Sequence, residues 1–244
     1  MNNLDYFDVI IIGAGAAGLM CAIQSGKRGK SVLLLDHSKK IGEKIRISGG
    51  GRCNFTNLNT NSSKFISSNK KFMVSALNQY TYHDFIKLVE SHKIKFHEKK
   101  LGQLFCDESS QRILDMLLDE CEKVNVVLIK GVNVQNITKN EINYTIDTLE
   151  GTYSSSSIVI ATGGLSIPKL GATKFGYDIA KKFGLDIIPP TAALVPLTFS
   201  DNILKMCKDL TGISHDAIVA YGKTFFKEGM LFTHRGLSGP SILQ

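Results

Sequence analysis

Asp8-Val9-Ile10-Ile11-Ile12-Gly13-Ala14-Gly15-Ala16-Ala17-Gly18 is the stretch on which the fold turns. Its apolar run, β-branched throughout and bounded by glycine, is the pattern of a strand buried on both faces of a parallel sheet. The glycines match G-x-G-x-x-G, and Ala16, Leu19, Met20 and Ile23 then recur at helical spacing until Gly26 and Gly29 stop them. Val32-Leu33-Leu34-Leu35 reads as a second buried strand ending at Asp36, eighteen residues past Gly18. The whole predicts one βαβ unit. The glycines serve three different physical ends. Gly13 permits the tight turn, Gly15 lets the backbone approach a pyrophosphate, and Gly18 lets the helix pack closely on the sheet. The free N–H groups and dipole of the helix start attract phosphate, and Asp36 is placed to accept hydrogen bonds from ribose hydroxyls. The fingerprint holds an ADP moiety and so leaves NAD and FAD both open.

Residues 37–64 show no periodicity and are rich in Gly, Asn, Ser and Thr, a length of connection that is functional or disordered. Within them Lys44-Ile45-Arg46-Ile47-Ser48-Gly49-Gly50-Gly51-Arg52-Cys53-Asn54-Phe55-Thr56-Asn57 is a cationic, glycine-rich, amide-bearing loop. A simple nicotinamide dehydrogenase would go straight into its next helix here, so the loop reads as a second cradle for an anion and a ring, which favours FAD. The fingerprint, Asp36, and Ser48-Gly49-Gly50-Gly51-Arg52-Cys53-Asn54 followed by Thr56-Asn57 resemble the HI0933-like flavoproteins, bacterial NAD(P)/FAD-dependent oxidoreductases of aminoacetone oxidase-like type. The resemblance continues through Ala161-Thr162-Gly163-Gly164, Pro168, Pro189-Pro190, Leu194-Val195-Pro196-Leu197 and residues 232–240. It implies FAD as cofactor with NAD(P)H as a transient electron donor. It also implies that Gly13, Gly15, Ala16, Ala17 and Gly18 hold the pyrophosphate and that Asp36 holds the ribose, with His37 beside it among the cofactor-binding residues. Lys44, Gly51, Arg52, Cys53 and Asn54 would lie along the pyrophosphate and ribitol, Val134 would meet adenine through its backbone, and Ala161, Thr162 and Gly163 would complete the set.

Helical spacing is expected at residues 72–77, 82–92, 109–122 and 177–183. Residues 126–129, 132–137 and 142–146 read as a small antiparallel set, 154–157 as a four-serine turn, and 158–161 as a buried strand. Pro189-Pro190 marks a break, after which residues 193–199 start new β material. The expected fold class is α/β: a Rossmann-like FAD-binding domain with a parallel sheet and a small antiparallel β set, plus the start of an inserted β-rich domain. Residues 1–190 form the first domain, without its C-terminal return, and 191–244 begin the inserted substrate domain. Leu237-Ser238-Gly239-Pro240 reads as a helix start capped by Ser238. With so few residues after it, the ending resembles an interruption of a longer protein.

A composition of 43% hydrophobic and 21% charged residues is that of an ordinary globular protein. The five cysteines are dispersed and never form CxxC, which predicts neither a disulfide framework nor a zinc site and suits a reducing, cytoplasmic setting. The apolar stretch 9–23 is interrupted by glycines and too short to span a bilayer, so no membrane partner is expected. The net charge of +7 is spread over scattered lysines, with pairs such as Lys70-Lys71 at element ends. That reads as solvated surface without the basic and aromatic interleaving of a stacking platform. The expected partner is therefore a small-molecule substrate in preference to nucleic acid; oligomeric state is left unassigned. Two alternatives stay open: a truncated, noncatalytic dinucleotide-binding fragment, and a flavoprotein acting on RNA. Cys53 lacks a second cysteine five residues on, where Leu58 stands, and reads as a packing residue. His234 reads as structural, His92, His97, Asp115 and Asp119 as surface groups, and no catalytic residue or metal ligand is assigned.

Overall fold

The computed structural model describes residues 5–243, and the chain packs as two units, Met1–Asp186 and Ile187–Gln244. In the first unit β1 (Asp5–Ile12), α1 (Ala16–Lys27) and β2 (Val32–Asp36) form the expected βαβ. There follow α2 (Glu43–Ile47), β3 (Asn54–Asn57), α3 (Val74–Gln79), α4 (Tyr82–Ser91), β4 (Phe96–Glu98), β5 (Gln103–Cys106) and α5 (Gln111–Lys123). The unit closes with β6 (Val127–Lys130), β7 (Val134–Lys139), β8 (Tyr144–Thr148), β9 (Thr152–Ile160) and α6 (Phe175–Lys182).

Among the described residues the main sheet has the order β6-β2-β1-β9-β8-β7. β1 pairs in parallel with both β2 and β9, and β2 with β6, while β7, β8 and β9 are antiparallel. Ile11 and Leu34 pack on one face against Leu19 and Ile23 of α1 and Leu114 and Leu117 of α5. Ile10, Ile12, Leu33 and Leu35 pack on the other against Ile137 and Ile146. Successive side chains of a strand point to opposite faces, so a strand with two covered faces needs the unbroken apolar run seen in β1 and β2. The molecule is thus an α/β Rossmann-like fold with a parallel-dominated sheet.

Three sequence expectations change in the strands and connections of the first unit. Residues 127–130 belong to the parallel edge beside β2 and not to the antiparallel set, because α5 returns the chain as a crossover that delivers β6 parallel. The serines at 154–157 are the interior of β9: Ser154 and Ser155 pair with β1 on one side and β8 on the other, Ser157 pairs with β1, and Ser155 is fully buried. Two ladders of backbone hydrogen bonds outweigh the turn preference of serine. Residues 37–64 contain α2, a 3-10 turn at Ser48–Gly51 and β3, which joins β5 and β4 in a separate antiparallel sheet.

α5 also carries Glu120, whose side chain is 8% exposed. Its carboxylate lies 2.9 Å from Lys27 Nζ of α1, 2.7 Å from Lys123 Nζ and 3.0 Å from His92 Nε2 just past α4. His92 is therefore part of a partly buried ionic knot tying three helices, not a surface group. α4 itself begins with a capping box, in which Thr81 Oγ1 accepts from Asp84 N and Asp84 Oδ2 accepts from Thr81 N.

The second unit comprises β10 (Leu197–Thr198), α7 (Asp201–Asp209), β11 (Ser214–Tyr221), β12 (Thr224–Thr233), β13 (Gly236–Ser238) and α8 (Pro240–Leu243). Its strands form an antiparallel sheet ordered β10-β13-β12-β11. Of residues 193–199 only two are strand. Ser238 ends β13 and does not cap α8; Gly239 is the cap, its carbonyl accepting from Leu243 N at 3.0 Å. His234 is exposed in the turn between β12 and β13. Among the described residues no helix is long and apolar enough to cross a membrane.

Candidate dinucleotide-binding site

A cavity of about 610 Å³ opens in the first unit at the carboxyl ends of β1, β2 and β9, where parallel α/β sheets bind their ligands. Its floor is stitched by backbone. Gly13 N donates to Leu35 O at 2.7 Å, Ala161 N to Ile12 O at 2.8 Å, and Ala14 N to Asp36 Oδ2 at 2.6 Å. The three strand ends and the glycine turn therefore hold one another in place.

Gly18 sits behind the turn. A Cβ there would lie 1.8 Å from Gly13 O, so α1 approaches β1 only because position 18 has no side chain. Gly15 is the opposite case: a Cβ there meets no protein atom within 4 Å, and the residue lines the cavity. The missing side chain leaves room for a ligand. Gly15 is also the cap residue of α1, makes no side-chain cap, and the first turn carries no acid. Helix N–H groups at this end are left to a ligand anion.

Asp36 is 9% exposed and lines the same cavity. Its Oδ2 accepts from Ala14 N and its Oδ1 from Ser38 N at 2.7 Å, so it braces the glycine turn before it does anything else. A carboxylate has about four lone-pair sites, which leaves two for ribose hydroxyls. Lys40 and Lys44 line the cavity against Asp36 and Glu43, with Lys44 Nζ 3.1 Å from Ser166 Oγ. Thr162 Oγ1, on the lining residue that follows Ala161, is buried without a hydrogen-bond partner. A buried hydroxyl left unpaired is uncommon and marks a place for a ligand atom or water.

Gly13, Gly15, Ala16, Ala17, Asp36, His37, Lys44, Cys53, Asn54, Val134, Ala161, Thr162 and Gly163 thus converge on one cavity. Gly18 packs beneath it. Gly51 and Arg52 do not line it; Gly51 O accepts from Ser110 N and Arg52 O from Cys106 N, binding the loop to α5 and β5. Burial pushes the Cys53 thiol up, and burial first and then Cys53 push Cys106 up to about 12. Both are poor thiolates; Cys53 serves as a small wall residue of the cavity, and Cys106 packs in the buried core. The sequence reading missed Lys40, Thr173 and Phe175, which reach the cavity from loops and from the start of α6. No periodic pattern marks them.

Residues 7–215 match the HI0933-like protein Rossmann domain, and residues 191–244 match the HI0933-like protein barrel and H2TH domain. The chain belongs to the HI0933-like family. This HI0933-like protein is 50% identical over 242 residues to the ribosomal RNA dihydrouridine synthase of Escherichia coli strain K12, covering 99% of this chain and 60% of that protein. It is 46% identical over 245 residues to the ribosomal RNA dihydrouridine synthase of Haemophilus influenzae, covering 98% and 61%. It is 27% identical over 243 residues to the 3-dehydro-bile acid delta(4,6)-reductase of Clostridium scindens, covering 96% and 58%. The chain spans about 60% of the length of these curated relatives.

Proposed function

We propose that this HI0933-like protein is the FAD-holding portion of an RNA-directed reductase that converts uridine to dihydrouridine, with NAD(P)H as electron donor. The observation that carries the reading is the cavity itself: the bare Cα of Gly15, the uncapped start of α1 and the unpaired hydroxyl of Thr162 line one space for a dinucleotide, and Lys44, Ser48, Cys53 and Asn54 of the glycine-rich loop line it too, which favours FAD. A diphosphate suits the helix end, and ribose hydroxyls suit Asp36. When bound, FAD supplies hydride transfer: an electron pair leaves NAD(P)H and ends in a C–H bond of the uracil ring, a proton completing the neighbouring carbon. The chain's own residues bind and orient, with Asp36 bracing the turn and Lys44 near Gly163 adding positive charge. RNA is preferred to a small-molecule substrate because two relatives sharing about half of their residues with nearly the whole chain carry that name.

The test uses the full-length protein. Flavin absorbance bands, FAD on extraction, and dihydrouridine formed in an unmodified ribosomal RNA transcript only with NADH or NADPH are the expected results. A colourless protein indifferent to added FAD removes the whole reading; a flavoprotein that leaves every uridine intact removes its RNA half. Retained flavin with no turnover of any acceptor favours the noncatalytic-fragment alternative.

Thr162→Val gives a narrower check. The apoprotein should melt at the same temperature, since the hydroxyl has no partner to lose. The flavin Kd should rise about threefold to tenfold, the worth of one hydrogen bond. An unchanged Kd by fluorescence titration takes Thr162 out of the cofactor's contacts.

A further inference from the structure

Residues 44–83 contain six cations, Lys44, Arg46, Arg52, Lys64, Lys70 and Lys71, and no Asp or Glu, so this stretch holds nearly all of the net +7. Its first part borders the cavity, at Lys44 and Asn54. Its second part, loop 64–72, leaves the separate β3-β5-β4 sheet and stands in solvent: every residue from 63 to 72 is exposed. Phe65 is 41% exposed and Phe72 is 72% exposed. Two rings in water beside three lysines, with no acid in the stretch to pair them, do not read as an ordinary solvated surface. The loop is also shaped. Ser67 Oγ accepts from Asn69 N at 3.2 Å, Asn69 Oδ1 from Lys71 N at 3.1 Å, and Asn69 O from Phe72 N at 3.0 Å. That turn presents Lys70, Lys71 and Phe72 together.

We propose that loop 64–72 is an RNA-docking element, in which Phe65 and Phe72 stack on unpaired bases and Lys64, Lys70 and Lys71 hold the flanking phosphates. The inference rests on the RNA-directed reading above and names the surface that meets the nucleic acid. Sequence-tolerant binding of single strands combines these two ingredients: ring faces for bases and a cationic track for the backbone. The occupant is an unpaired or looped segment and not a duplex, because stacked base pairs offer no free ring faces to side chains. An apolar partner would have to strip water from three ammonium groups without neutralising them, which is costly. Phosphates neutralise them. The interleaving of rings and cations, absent from the sequence reading, becomes visible once exposure is known.

Full-length holoenzyme and a fluorescent oligouridylate provide the test, with anisotropy measured between about 50 and 200 mM salt. Phe72→Leu and Phe65→Leu keep apolar bulk but remove the stacking face, and each should weaken binding about tenfold. Lys64→Ala/Lys70→Ala/Lys71→Ala should lower the slope of log K against log salt by about 2, and the corresponding Arg variant should restore it. Flavin content and the rate of flavin reduction by NAD(P)H should not move in any variant, while KM for RNA rises. Wild-type protein that binds oligouridylate and forms dihydrouridine, alongside variants of unchanged Kd and slope, overturns the docking surface and leaves the reductase reading standing. Equal affinity for a duplex of the same length overturns the stacking. Wild-type protein that neither binds nor reduces RNA removes both readings together.

Discussion

Gly18→Ala is expected to destabilise the first unit by about 3 kcal/mol, although the same change in an exposed helix interior would stabilise by about 1 kcal/mol. The clash wins because the added carbon would lie 1.8 Å from Gly13 O, a backbone atom of a turn that is itself bonded to Leu35 and, through Ala14, to Asp36. No side chain can swing aside to relieve it. Gly15→Ala is the control: it meets nothing within 4 Å and its φ of −84° suits any residue, so the folded state should be within about 1 kcal/mol of wild type. Flavin affinity should nonetheless fall about tenfold or more, since the methyl enters the space where a diphosphate approaches the backbone. Urea unfolding of the apoprotein measures the first effect and flavin titration the second. A Gly18→Ala protein with an unchanged urea midpoint, or a Gly15→Ala protein with unchanged flavin affinity, contradicts this division of labour.

The second large effect lies at Glu120. Burial pushes its carboxyl up, but hydrogen bonds from Lys123, Lys27 and His92 outweigh it and hold the pKa at about 2, against 4.5 for an ordinary glutamate. A carboxyl depressed in the folded state stabilises it above the unfolded pKa and loses that contribution as the pH falls towards the folded one. The depression corresponds to on the order of 3 kcal/mol, complete above about pH 5, and less than half remains near pH 3. Glu120→Gln should therefore cost about 3 kcal/mol at pH 7. Its stability curve should draw towards that of wild type as the solution is acidified. Urea midpoints at a series of pH values give the answer directly; parallel curves for the two proteins would mean that Glu120 does not titrate with the fold.

The part of the fold legible in the sequence was the part where burial leaves no choice. Ile10 to Ile12 and Leu33 to Leu35 are covered on both faces, and only a central parallel strand tolerates that. Residues 127–130 show the same apolar character, yet a strand's neighbour is chosen by how the preceding helix returns the chain, which no local pattern records. The first half of β9 is hidden for a related reason: Ser154 and Ser155 satisfy their backbone groups against β8 and against β1, the second a partner far away in sequence. At the site, glycine spacing and the acid at the end of β2 located the cavity. What escaped was the tertiary bond from Ala14 N to Asp36, which makes the acid a brace before it is a ligand. In sequence Lys70-Lys71 and Phe72 read as element-end charge and helix face, since exposure is a property of the folded neighbourhood and not of residue type.

The pairing of β1 with β9 also sets an order of events during synthesis. Asp5 lies opposite Tyr153, so about 150 residues of chain must leave the ribosome before the first strand finds β9, its second neighbour. At ordinary translation rates that is roughly 10–30 s. Throughout the interval β1 has only β2 beside it, and along its other edge the amide and carbonyl groups, those of the apolar run at residues 9–12 included, are unpaired. Strand edges of that kind seed association between nascent chains. Slow passage through residues 12–152 thus exposes the protein to aggregation before it can hold any ligand, and a holding chaperone acting on the nascent amino terminus would raise the yield of native molecules without altering their final stability.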